Sequence, residues 1–176
     1  MQQEREMAKT KMTKDIVPGD FTMGLALVDA LPVIMFGASM IAAGLLIKSP
    51  LFIIGALLCL FAGAAKVIWK IIVVLRHKNV WWLFIQMRCV MPVGMLLMLI
   101  ALVIAACAAD MAIVKAAVFG MPQIIFFALG IFGMVLMGVF AAKLDSSKLK
   151  SNWIEQLTNA AAQVCFLIAI LIIYIG

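Results

Sequence analysis

The sequence predicts an all-α integral membrane protein, a bundle of five transmembrane helices joined by short loops, with the N-terminus cytoplasmic and the C-terminus outside. Three observations carry this expectation. First, 67% of the 176 residues are hydrophobic and only 12% are charged, against about 45–50% and about 25% in soluble domains. Second, the apolar residues fall into five runs, about 21–47, 51–75, 80–109, 119–142 and 153–175, each long enough for the roughly 20 residues that a bilayer core requires. Third, the basic residues of the polar segments alternate in density. Arg5, Lys9, Lys11, Lys14, Arg76, Lys78, Lys143, Lys148 and Lys150 fall on one side of five alternating spans, and only Lys48 and Lys115 on the other. Positive residues mark the cytoplasmic face.

Residues 1–20 form a polar cytoplasmic tail with acids and bases mixed, unlike a cleavable signal; residues 21–176 form the transmembrane domain. In the first span Pro32 cannot donate to the carbonyl of Val28, which predicts a kink or a late helix start. Lys48-Ser49-Pro50 makes a minimal turn. The second span carries Gly55, Cys59 and Gly63 at intervals of four, a small-residue stripe suited to helix contact. Arg76-His77-Lys78 then marks a turn in water. The run 80–109 is too long for one untilted crossing. Either it is one tilted helix, or Trp81-Trp82 lie in the interface and the crossing begins near Cys89, the reading that paired tryptophans favour. The fourth span is glycine-rich and uncharged, and 143–152 is a hydrophilic loop. Glu155, Asn159 and Gln163 form a polar stripe at the start of the fifth span.

Polar groups inside the spans are the candidate site. A cation at the centre of a spanning helix costs roughly 2.5–3.5 kcal/mol, so Lys66, Lys70 and Arg88 need partners or a route to water. Together with Asp29, Glu155, Asn159 and Gln163 they lie in the cytoplasmic half, and they are expected to converge on one inward cavity. Within it Asp29 reaches Lys66, and Arg88 uses the carbonyl freed by Pro92. Taken singly, each has a plainer role: Lys70 and Arg88 snorkel to headgroups, and Asn159 and Gln163 join helices.

Function is read as binding or transport of an anionic small molecule or lipid headgroup, since the cations of this set outnumber its anions. The alternative is an accessory, immunity or assembly subunit that meets a partner membrane protein or a second copy through small-residue stripes, including Ala101, Ala105 and Ala109. An intramembrane enzyme comes third: Ser39 has no histidine in prospect, and His77 with Cys89 lacks an orienting residue. No cofactor is expected. A single histidine excludes bis-histidine haem, and four scattered cysteines form no CxxC pair. A methionine stripe at 87, 91, 95 and 98 suits Cu(I) but equally suits ordinary packing. Membrane lipids are expected partners and nucleic acid is not, because the basic residues are split by hydrophobic spans. The expected location is the cell membrane, most simply a bacterial cytoplasmic membrane.

Overall fold

The computed structural model describes residues 22–108, 118–144 and 149–175; the polar tail and nearly all of the 110–118 connection lie outside them. The described chain is all-helical, without strands: α1 (Met23–Leu46), α2 (Pro50–Arg76), α3 (Trp81–Ile85), α4 (Met87–Ala108), α5 (Gln123–Lys143) and α6 (Leu149–Ile175). Taking α3 and α4 as one span, five helices are long and apolar enough to cross a membrane.

Local chemistry sets the helix ends. The Thr22 hydroxyl accepts from the Leu25 amide at 3.2 Å, capping α1. Ser49 does the same for α2, from Phe52 at 3.3 Å, and Pro50 occupies a first-turn position that needs no amide hydrogen. His77 closes α2 in the left-handed region, φ 49°. The late start expected for α1 does not occur, because the helix begins at Met23 and runs through Pro32. The run 81–108 counts as one candidate span. The run is helical from Trp81, and a single residue, Gln86, interrupts it, three positions before Cys89. The last helix begins at Leu149 rather than Trp153. Ser151 and Asn152, read as loop because they are polar, form its first turn.

The helices stand in a row, α4–α2–α1–α6–α5, each packed extensively only on its neighbours. Glycines set the antiparallel registers. Gly63 faces Val33 and Gly37 faces Leu60 between α1 and α2, Gly55 faces Gly94 between α2 and α4, and Gly133 faces Ala162 between α5 and α6. Gly24 of α1 lies against Trp153 of α6, so those two helices start at the same end. That end also carries Arg76, Lys78, Lys143 and Lys150, and is the basic end of the molecule. A core of Phe52, Ala56, Cys59, Met98 and Ala101 fills the α2–α4 seam away from it. The Gly55–Cys59–Gly63 stripe and Ala101 are thus buried within the chain and do not form an outer surface. Met98 and Met91 pack against the same core while Met95 is exposed, which splits the methionine stripe.

Candidate functional site

Near the basic end α2 and α6 flank α1, and charged residues of all three lie there. Lys70 Nζ lies 2.7 Å from Asp29 Oδ2, with both side chains only 6% exposed. The contact is a close, buried ion pair. Asp29 was expected to reach Lys66, and Lys70 to snorkel. Helix rotation decides otherwise. On α2, Gly63 marks the face that meets α1; Lys70 is turned about 20° from it and Lys66 about 60°. Lys70 therefore meets the carboxylate and is buried within the protein.

Lys66 lies about 60° from Gly63, which faces α1, and within about 20° of Gly55 and Cys59, which face α4. It is half-buried and has no ion-pair partner among the described residues. Glu155 of α6 is likewise half-buried and forms no ion pair among the described residues. The registers of Gly63 on Val33 and of Gly24 on Trp153 put Lys70 and Glu155 at about the same level, with Lys66 one turn further from the basic end.

The polar stripe of α6 continues from Glu155 away from the basic end. Gln156, Asn159 and Gln163 share an arc of about 100° with it; Phe166, which faces α5, falls within that arc, and Trp153, which faces α1, lies about 60° beyond Gln156. Gln163 Nε2 donates to Asn159 Oδ1 at 3.4 Å and to Met134 Sδ of α5 at 3.6 Å. The side-chain oxygens of Gln163 and Gln156, residues 7% and 8% exposed, accept no hydrogen bond from the described residues. Gln156 was missed in the sequence because the i, i+4, i+8 spacing of the other three hides a neighbour only 100° away.

Arg88 does not belong with these residues. It is exposed, and its guanidinium sits 5.4 Å from the centroid of the Phe84 ring. Phe84 in turn packs on Trp69 and Trp81, at centroid distances of 5.0 and 5.2 Å. The buried Trp69 donates its indole hydrogen to Asn79 Oδ1 at 3.0 Å. An aromatic ledge with a cation over its face is worth about 0.5–1 kcal/mol at an exposed site, and it holds Arg88 away from the Lys70–Asp29 pair. Instead Gln86 is the buried polar residue of this segment, donating to Ala62 O of α2 at 3.2 Å and to Leu83 O at 3.3 Å. The single cavity expected for all seven residues is corrected accordingly. Four of them gather at the ion pair, two extend along α6, and Arg88 lies apart.

Moving Arg88 out changes the charge balance. Lys66 and Lys70 face Asp29 and Glu155, two cations against two anions, so the excess of positive charge that favoured an anion is gone. The other chemistry weighed from the sequence is dispersed: Ser39 is buried and donates to the Met35 carbonyl at 2.7 Å, whereas His77 and Cys89 are exposed. No group of three metal-ligating side chains occurs among the described residues. No protein-family model, curated protein or solved structure matches the chain.

Proposed function

We propose that the chain binds or transports a small ligand in a polar wedge near the basic end, where α2 and α6 flank α1, and that the ligand carries both an acidic group and a hydrogen-bond donor or cationic group. One observation carries this reading. Among the described residues, Lys66 and Glu155 form no ion pair beside the Lys70–Asp29 pair, and the buried amide oxygens of Gln156 and Gln163 accept from no donor. A buried polar atom left without a partner costs about 1–3 kcal/mol, so a ligand that supplies the missing charges and donors has a clear advantage. An acidic group suits Lys66. An ammonium or amide hydrogen suits Glu155 and the glutamine oxygens. A free amino acid has both, and so does a zwitterionic headgroup. A purely anionic ligand is less well matched than the sequence suggested.

The test is thermal unfolding of the purified chain in detergent, with free amino acids, dicarboxylates and inorganic phosphate as probes. A zwitterion at a hundred times its dissociation constant is expected to raise Tm by about 5–10 °C. The shift should vanish in Lys66→Met and in Glu155→Gln. If no probe stabilises the wild type, or if Lys66→Met is more stable with an unchanged response, the wedge is only structural.

The same proposal places the chain across a cell membrane with its basic end in the cytoplasm, supported by Arg76, Lys78, Lys143 and Lys150 at that end. A reporter fused after Gly176 is expected to be active only outside; cytoplasmic activity would reverse the orientation or remove a span.

A further inference from the structure

On the side of α6 away from its polar arc, α5 and α6 leave an apolar groove of about 420 Å³. Its floor is made by small residues. A Cβ on Gly133 would stand 2.7 Å from that of Ala162, so the two backbones nearly touch, while Leu129, Phe132 and Leu157 stand up beside them as walls. Thr158 is the one hydroxyl in the lining.

Two cations stand over the end of this groove. Lys143 comes seven residues after the lining residue Leu136, and Lys150 seven before the lining residue Leu157. Seven residues return a helix to within about 20° of the same face and advance it about 10 Å. Both lysines therefore continue the groove's own two walls toward the basic end. The antiparallel register of Gly133 on Ala162 and Gly130 on Phe166 sets Lys143 level with residues 152–153, about 3–4 Å along the axis from Lys150. Both are exposed, and neither forms an ion pair among the described residues.

We propose that this groove holds a phospholipid with an anionic headgroup, one acyl chain lying between α5 and α6 and the phosphate held by Lys143 and Lys150. The groove is apolar and open to the side, which suits a flexible hydrocarbon chain that enters from a bilayer. Charge complementarity selects the headgroup. A partner helix would need the apolar walls but not a cation on each of them at one end. This site is separate from the wedge, on the other side of α6, and stands whether or not the wedge binds a ligand.

Native mass spectrometry of the full chain in detergent, with equal amounts of phosphatidylglycerol and phosphatidylcholine added, tests the assignment. The wild type is expected to retain phosphatidylglycerol preferentially. At the usual strength of lysine near an anionic surface, the double variant Lys143→Gln/Lys150→Gln should reduce that preference about 30-fold. Ala161→Phe, at an exposed position of the lining, fills the groove and should lower retention without lowering Tm. Equal retention of the two lipids by the wild type overturns the proposal. So does an unchanged preference in the double variant, or full retention by Ala161→Phe, which would mark lipid bound at the general surface only. A copurifying protein displaced by Ala161→Phe, with lipid retention unaltered, would give the groove to a partner helix instead.

Discussion

Asp29→Ala is expected to lower stability by about 3–5 kcal/mol, because it leaves the Lys70 ammonium buried without its counter-charge. Asp29→Asn should fall nearly as far, since it keeps the shape and removes only the charge. The informative comparison is the double variant Asp29→Leu/Lys70→Leu. Replacing both partners removes two desolvated charges at once, and buried ion pairs exchanged for apolar groups are often neutral or more stable by about 1–4 kcal/mol. Thermal unfolding in detergent checks all three. If the double variant is as unstable as Asp29→Ala, the two charges are not acting on each other. Lys66 and Glu155 remain in every variant, so the local charge goes from balanced to positive in Asp29→Ala and back to balanced in the double.

Gly55→Leu and Gly94→Leu should prevent α4 from docking on α2. At Gly55 a Cβ would stand 2.6 Å from the Gly94 carbonyl oxygen, and at Gly94 2.7 Å from the Gly55 carbonyl oxygen and from Cys59 Sγ. Backbone atoms on both sides leave little room to yield. Even Gly55→Ala should cost about 1–3 kcal/mol from overpacking, although alanine is better than glycine in a helix by about 0.8–1.0 kcal/mol. Gly138 is the control, with nothing within 4 Å of its Cβ position. Gly138→Ala should therefore be neutral or stabilising. The opposite signs of two identical substitutions separate packing from propensity. If Gly55→Ala and Gly138→Ala behave alike in thermal unfolding, the close approach of α2 and α4 is wrong.

The spans were legible in the sequence because hydropathy reports how far along its axis a helix stays apolar. Hence all five appear, and their ends are missed by only a few residues. Rotation and neighbour order are much less legible. Lys66 and Lys70 differ by one turn in depth, and no hydropathy pattern tells which of them turns to α1; the positions of Gly63 and Val33 do. Arg88 was assigned by depth alone to the same level as the α6 amides, but α2 and α1 stand between α4 and α6 in the row. The small-residue stripes were recognised as contact faces, yet whether the contact is inside the chain or outside it depends on that row order. Gln86 carried a visible signal, a lone amide inside an apolar run, and was passed over beside the louder charge two residues on.

The row order also has a bearing on biosynthesis. α4 and α5 follow one another in the chain and stand at opposite ends of the row, so the α5–α6 pair is joined to the rest mainly through α6 on α1. A chain emerging in order can assemble α1, α2 and α4 as each appears. The other flank of α1, including the surface of Gly24 that meets Trp153, stays open until the last helix arrives. Among the described helices, the first made is therefore the last to be enclosed. A product truncated before α6 would keep the Lys70–Asp29 pair but leave it uncovered on that flank, a polar mark by which an unfinished chain differs from a finished one.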